Sequence, residues 1–173
     1  MDSDDFFRSL ALRASEDSAL VAVLRRSSSY EPGFYPPAFP YIETYVYKLS
    51  DWQRQITYLT ASCWAQSARR CHGQAVALAE AARILRYHPS IGSKSIEQRF
   101  TALLDADSDE LQWRLRHLTN QLTAAEIPIE WGSLLKDLWA WNSRTRYVQI
   151  RWARQFWANP PAKNSANVVA STN

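Results

Sequence analysis

The sequence predicts an all-α protein, and three observations support this fold class. Only 4 of the 173 residues are glycine, and the 8 prolines fall outside the segments with regular apolar spacing. Apolar residues recur at intervals of three and four, as on one face of a helix. Alternation typical of a strand does not extend beyond a few residues. We therefore predict a compact bundle of about eight or nine short helices in two helical lobes.

Residues 1–88 are predicted to form the N-terminal lobe. A short helix follows Ser3, and a second helix spans about residues 18–26. The segment SSSYEPGFYPPAFP then contains four prolines and one glycine, which predict a loop up to Pro40. A short helix with Ile42 on its buried face is expected after this loop.

A long helix completes most of this lobe. Ser50 and Gln53 have the spacing of a capping box, and apolar residues follow at helical intervals. Arg69 and Arg70 are expected to close this helix, and a further helix is predicted from about Ala75. The linker YHPSIGSKS then marks the predicted boundary between the lobes.

Residues 89–157 are predicted to form the C-terminal lobe. Its first helix is expected to start at a second capping box, Ser95 with Gln98. The next follows Ser108 and buries a stripe of leucines. Trp113 lies on the opposite face of that helix, so we expect its ring to contact another helix, a partner protein or a nucleobase.

Two further helices are predicted to begin near Trp131 and near Ser143. The segment 131–157 contains five of the chain's eight tryptophans, with four arginines, one lysine and a single acid. The tail, residues 158–173, is polar and without periodicity, and it is predicted to be disordered.

Composition limits the classes of function. The net charge is +3, and 16 of the 20 basic residues are arginine. Arginine presents a planar fork of donors that suits phosphate, so this bias suggests an anionic partner. The acidic N-terminus does not resemble a signal peptide, and no apolar run approaches the ~18 residues of a membrane span. We predict a soluble, cytoplasmic protein whose Cys63 and Cys71 are reduced.

Motifs for catalysis, cofactors and metals are absent from the sequence. It contains no glycine-rich phosphate loop, no HExxH and no Gly-x-Ser-x-Gly. The acids from Asp105 to Glu110 lack the glycine and the final glutamate of a calcium loop. The three histidines are not spaced as metal ligands. We therefore predict a binding protein that is not an enzyme, with no cofactor and no metal.

The candidate binding residues are arginines on helices and at helix ends. A basic stripe is predicted on one face of the last helix, because four residues are spaced at steps of three, four and three along it. These residues are Arg144, Tyr147, Arg151 and Arg154. Cations at helix C-termini can instead complement the helix dipole. The full predicted set for nucleic-acid binding is Arg25, Arg26, Arg54, Arg69, Arg70, Arg116, Arg144, Arg146, Arg151 and Arg154.

Several motifs follow one another along the chain: LRR at 24–26, PAF at 37–39, Gly-x-Ala-x-x-Leu-Ala from Gly73, RFTALLDAD, ELQWRLRHL, IPIEWGSLLKDLWAW and RWARQFW. Their order resembles the CasB family, the small subunit of the type I-E CRISPR Cascade surveillance complex. The similarity covers about residues 10–157. The sequence departs from the family pattern at Asp105, where some relatives are basic, and at His117, where a second basic residue is common.

The resemblance implies an all-helical, non-catalytic subunit present as two copies in the complex. Its expected partners are the guide CRISPR RNA, both strands of the target DNA, the Cascade backbone subunits, the large subunit and a second copy of itself. It would line the path of the guide–target duplex and of the displaced strand. The matching basic positions are Arg25, Arg26, Arg54, Arg116, Arg144 and Arg146.

Two other functions fit the residues. In a purely structural assembly subunit, the arginines would contact acidic faces of neighbouring proteins. An unrelated helical DNA-binding regulator would need a recognition helix with base-reading residues near its N-terminus, and no such helix stands out.

Overall fold

The computed structural model describes residues 2–89 and 92–158 and confirms the all-α fold class. Within these residues, nine α-helices and one 3-10 turn, Pro36–Ala38, account for the regular structure apart from an isolated bridge. The helices are α1 (Ser3–Glu16), α2 (Ser18–Ser27), α3 (Phe39–Val46), α4 (Asp51–Ser67), α5 (Leu78–Arg86), α6 (Ser93–Asp105), α7 (Ser108–Ala124), α8 (Trp131–Trp139) and α9 (Tyr147–Phe156).

Helix α4 is the central element of the fold. It packs against α2, α3, α7 and α8, and nearly every side chain from Ile56 to Ala65 is buried. A helix that is buried on most of its surface must satisfy its polar side chains internally. Thr57, Thr60 and Ser62 do so by donating their hydroxyl hydrogens to carbonyls one turn earlier, at 2.7 Å.

Buried side chains from both halves of the chain form one continuous hydrophobic cluster. Helix α8 packs on α1 and α4, and α5 packs on α6 and α9. Trp52 Nε1 donates to the carbonyls of Leu138 and Trp139 at 3.2 Å, and Trp139 Nε1 donates to the carbonyl of Gln53 at 3.3 Å. The connection near residue 89 therefore joins helices that share a core, and the division into two lobes stays a prediction.

Several predicted helix boundaries are confirmed. The first two helices start at Ser3 and Ser18, close to the predicted positions. The capping box of α4 is formed, since Ser50 Oγ accepts from the backbone N–H of Gln53 while Gln53 Oε1 accepts from the backbone N–H of Ser50.

Other boundaries were predicted wrongly. The Ser95 capping box is not formed, because α6 already starts at Ser93 with Gly92 as its N-cap. The predicted loop to Pro40 is too long, since the 3-10 turn runs directly into α3 at Phe39. A proline in the first turn of a helix lacks only an N–H that would have no intrahelical partner.

One further correction comes from a contact distant in sequence. Helix α5 starts at Leu78 rather than near Ala75, because Val76 forms a parallel bridge with Ile129. The backbone N–H of Glu130 donates to the carbonyl of Val76 at 2.9 Å, which holds this strand-like residue out of the helix.

Helix α4 ends at Ser67, so Arg69 and Arg70 lie in the turn after the helix rather than inside it. No helix among the described residues is long and apolar enough to cross a membrane. The predicted tail, apart from Ala158, lies outside the described residues.

Candidate nucleic-acid interface

The ten predicted arginines fall into two groups of five. One group donates hydrogen bonds to other atoms of the protein and consists of Arg25, Arg54, Arg116, Arg146 and Arg151. In the other group the side chains make no hydrogen bond or ion pair with any residue in 2–89 or 92–158, and this group consists of Arg26, Arg69, Arg70, Arg144 and Arg154.

Arg54 is held in a half-buried cluster between α3 and α4. Its Nε donates to Glu43 Oε1 at 3.0 Å, and its Nη2 forms an ion pair with the same oxygen. The guanidinium also lies 5.1 Å from the ring centroid of Tyr58, whose hydroxyl donates to Glu43 at 2.8 Å. Burial raises the pKa of Tyr58, and the neighbouring carboxylate of Glu43 raises it further. The positive charge of Arg54 is therefore largely offset inside the protein.

Arg25 and Arg116 each donate to a backbone carbonyl rather than to a carboxylate. Arg25 Nε reaches the carbonyl of Ala65 at 2.7 Å, and Arg116 Nη2 reaches that of Tyr30 at 3.2 Å. Burial lowers the pKa of the Arg116 guanidinium, and its Nε is buried without a hydrogen-bond partner. No carboxylate among the described residues pairs with either arginine, and part of each side chain fixes the local fold.

Arg146 connects α9 to the end of α6. It is the N-cap residue of α9 and has a left-handed backbone conformation, with φ of 48°. Its Nη2 donates to the carbonyl of Leu104 at 2.6 Å. A left-handed conformation is unfavourable for a residue with a Cβ, so this turn is maintained by the surrounding contacts.

Arg151 is paired with a carboxylate that also serves the core. Asp137 accepts from Arg151 through Oδ1 and from the indole N–H of buried Trp152 through Oδ2, the latter at 2.7 Å. Asp137 therefore offsets the positive charge of Arg151, and the predicted basic stripe is not continuous at this residue. Arg144 precedes α9, which begins at Tyr147, so the stripe does not form one continuous helical face from Arg144.

Three of the arginines without partners lie at the C-terminal ends of α2 and α4. Arg26 is in the last turn of α2, and Arg69 and Arg70 follow α4. The two ends are adjacent, because Arg25 Nε donates to the carbonyl of Ala65. All three side chains are exposed, so this helix-end cluster presents three positive charges to solvent.

Of the other two, Arg144 lines an open groove between α6 and α9, and Arg154 follows the lining residue Ala153 in the chain. The groove has a volume of about 980 Å³ and is lined by Lys94, Arg144 and Arg146, together with Ile150 and Trp157. Glu97 and Asp105 also line it, and Glu97 is paired with Arg86. Arg154 is exposed on α9.

Two basic residues on α6 were missed by the sequence reasoning. Lys94 and Arg99 are both exposed and line grooves on either side of α6, whereas Ile96 and Phe100 are fully buried. Ile96 and Phe100 are four residues apart in the sequence, as expected for one face of a helix. Placing the charged residues at 100° per residue around the same helix would have found this basic surface.

Groups of carboxylates, histidines and cysteines suited to a metal ion do not occur within the described ranges. Cys63 and Cys71 are free thiols, and burial raises the pKa of both.

Comparisons with known proteins agree with the predicted family. The profile of the family "CRISPR-associated protein Cse2" matches residues 20–157. A CRISPR-associated protein Cse2 from Thermus thermophilus is 38% identical over 144 residues, which cover 81% of this chain and 79% of that protein.

Solved structures also resemble this one. The crystal structure of CasB from Thermus thermophilus has a TM-score of 0.76 at 34% identity, covering 92% of this chain and 100% of that chain. A chain of a CRISPR RNA-guided surveillance complex has a TM-score of 0.81 and covers 98% of both chains. Its identity of 20% makes this second likeness one of fold alone. From the family profile and the two relatives from Thermus thermophilus, the chain belongs to the Cse2 family of CRISPR-associated proteins, known also as CasB.

Proposed function

We propose that the chain is the non-catalytic small subunit of a type I-E CRISPR RNA-guided Cascade surveillance complex and that it binds nucleic-acid backbone there. Membership of the Cse2 family supports the place in the complex. The observation that carries the binding role is the group of five exposed arginines without a partner among the described residues. An exposed guanidinium without an intramolecular acceptor is available for phosphate.

The mechanism follows from the type of contact. In RNA-guided recognition, base pairing between guide and target reads the sequence, and protein contacts hold the backbone. Each phosphate neutralised by an arginine releases condensed counterions, so several dispersed cations give affinity without sequence preference. Bound along the opened DNA, the subunit would stabilise the guide–target R-loop and the displaced strand.

We assign the main contacts to two surfaces. The helix-end cluster comprises Arg26, Arg69 and Arg70, and the second surface comprises Arg144 and Arg154 beside the groove between α6 and α9. The five arginines with intramolecular acceptors use part of their donors inside the protein. Their contribution to binding stays a prediction and is expected to be smaller.

The alternative is a purely structural assembly subunit, and one observation favours it. Leu12, Phe34 and Tyr47 are 64%, 61% and 69% exposed and lie outside the basic grooves. Aromatic residues such as Phe34 and Tyr47 are enriched at protein–protein interfaces. The two functions are compatible, since one surface can meet neighbouring subunits while another holds phosphate.

The place in the complex is tested by purifying the tagged protein from its native cell. We expect a short guide RNA and several larger subunits to copurify at constant ratio. Recovery of the protein without RNA and without the larger subunits would reject the proposed complex.

The binding role is tested by charge reversal in the assembled complex. R26E/R69E/R70E and R144E/R154E are expected to shorten the R-loop lifetime while leaving complex assembly unchanged. R8E is the matched control, because Arg8 is already paired with Asp5 on the acidic helix α1. If both multiple variants had an unchanged R-loop lifetime, the binding role would be rejected and only the assembly role would remain.

A further inference from the structure

A second, smaller cleft lies between α6 and α7, and its floor is an exposed tryptophan. Trp113 is 55% exposed, and its indole N–H makes no hydrogen bond to a described residue. The cleft has a volume of about 330 Å³ and is lined by Ser95, Gln98, Arg99, Ala102, Trp113, Arg114 and His117. More than half of the Trp113 surface is therefore left uncovered by its own protein and is available for a ligand.

The indole is held from one side by its sequence neighbour. The guanidinium of Arg114 lies 4.6 Å from the ring centroid of Trp113. Arg114 is itself fixed by Glu110, whose Oε2 accepts from Nε at 3.1 Å and from Nη2 at 2.8 Å. A guanidinium that is anchored and placed over an aromatic ring restricts the ring's rotation, and the ring is therefore preorganised.

The charge of the cleft selects the kind of ligand. Its lining contains Arg99, Arg114 and His117 and no carboxylate. Glu110 offsets Arg114, but Arg99 is exposed and unpaired among the described residues. An aromatic face beside an unpaired guanidinium matches the two parts of a nucleotide, since the base can stack and the phosphate can accept hydrogen bonds.

The cleft adjoins the larger basic groove. Gln98 and Ala102 of α6 line both, so α6 forms the wall between them. A strand that follows Lys94 and Arg144 on one side of this helix can therefore reach Trp113 on the other. The indole of Trp113 therefore lies beside the proposed path of the nucleic-acid backbone.

We propose that the cleft between α6 and α7 binds an unpaired nucleotide of a single strand, with the base stacked on Trp113 and the adjoining phosphate bound by Arg99. This inference rests on the proposed nucleic-acid binding and adds a base contact to it. Stacking on an indole accepts any base, because every base has a π face. The site therefore discriminates single-stranded from paired nucleic acid without reading sequence.

The test compares two fluorescein-labelled strands of about 12 nucleotides, oligo(dT) and an abasic strand with the same number of phosphates, by fluorescence anisotropy with the full-length protein. We expect oligo(dT) to bind about tenfold more tightly at low salt. W113A is expected to abolish this difference by weakening oligo(dT) alone, whereas W113F keeps most of it. R99A is expected to weaken both strands by a similar factor.

Y47A is the matched control. Tyr47 is also an exposed aromatic residue with a neighbouring cation over its ring, Lys48 at 5.1 Å, but it does not line this cleft. Y47A should leave both affinities unchanged. Oligo(rU) identifies the sugar preference of the strand, and similar W113A effects on oligo(rU) and oligo(dT) would support a contact to the base alone.

The outcomes separate this inference from the proposed function. Equal, salt-dependent affinity for oligo(dT) and the abasic strand would overturn the stacking site and leave backbone binding intact. No binding of either strand would overturn both. A W113A effect as large on a duplex of the same length would also overturn stacking. Loss of the W113A subunit from the purified complex, with unchanged oligo(dT) affinity, would assign Trp113 to a protein contact instead.

Discussion

Glu43 and Arg54 form an ion pair that joins the short helix α3 to the central helix α4, and Tyr58 completes it by donating to the same carboxylate oxygen. A carboxylate partner offsets the free-energy cost of half-burying the charged arginine. The pair therefore contributes to folding, and its arginine has little free charge for a ligand.

The first prediction concerns the stability of this pair. E43Q is expected to lower the free energy of unfolding by roughly 1 to 2 kcal/mol, because it leaves the Arg54 charge without a carboxylate. Urea denaturation at neutral pH measures the difference. R8A, which removes a largely exposed partner of Asp5, is the control and should change stability far less.

The same pair gives a pH dependence with a definite sign. Burial alone would raise the pKa of Glu43, but hydrogen bonds from Arg54 and Tyr58 lower it below its ordinary value of 4.5. A carboxyl whose folded pKa is lowered contributes stability above its unfolded pKa and loses it as the pH falls through the folded pKa. The stability difference between wild type and E43Q should be constant from neutral pH down to the ordinary pKa and shrink below pH 4.5.

The second prediction concerns Asp137. D137A removes the acceptor of the buried Trp152 indole N–H and the partner of Arg151. An unsatisfied buried donor costs about 1 to 3 kcal/mol, and we expect a loss of that size in urea denaturation. D137N keeps an oxygen acceptor and should lose less. Equal losses for the two variants would contradict the role of the hydrogen bond to Trp152.

The third prediction concerns the salt dependence of single-strand binding. For a single strand, each phosphate contact adds about 0.7 to the magnitude of the negative slope of log K against log salt. R144A/R154A should therefore reduce that magnitude by up to about 1.4. Titrations at several salt concentrations measure it. D137N should increase the magnitude of the slope, because the variant lacks the carboxylate charge that offsets the charge of Arg151. R8A should leave the slope unchanged.

The fourth prediction concerns the close approach of α1 and α8. A Cβ on Gly132 would overlap Asp4 Oδ1 and lie 3.0 Å from Asp4 Cα. G132A is therefore expected to destabilise the protein by about 1 to 3 kcal/mol. D4A should restore part of the loss in the double variant, because the nearest clash is with the Asp4 side chain. Additive losses would show that the two positions do not touch.

Prediction from sequence succeeded where local chemistry decides the outcome. The capping box at Ser50 and the buried face of α7 follow from residue type and helical period, and both are present. It failed where a distant residue competes. Helix α5 begins later than predicted because Val76 pairs with the backbone near Ile129, in the other half of the chain.

The candidate interface also has some features that the sequence predicts and others that depend on contacts distant in sequence. Residue type alone identified arginine as the chemistry of this surface, and the ordered motifs identified the family. Which arginines have free charge depends on distant acceptors, as in the pairing of Arg54 with Glu43 and of Arg151 with Asp137. Helical phasing alone does not reveal such acceptors, because it describes one helix at a time.

The sequence by itself determined the helical class, the apolar faces and the family, since each depends on the order and period of side chains along the chain. Only the tertiary structure decided that Arg26, Arg69, Arg70, Arg144 and Arg154 lack partners among the described residues, and that Trp113 borders a basic cleft on α6. The physical reason is that charge pairing and exposure depend on distances between helices, and packing of the common core sets those distances.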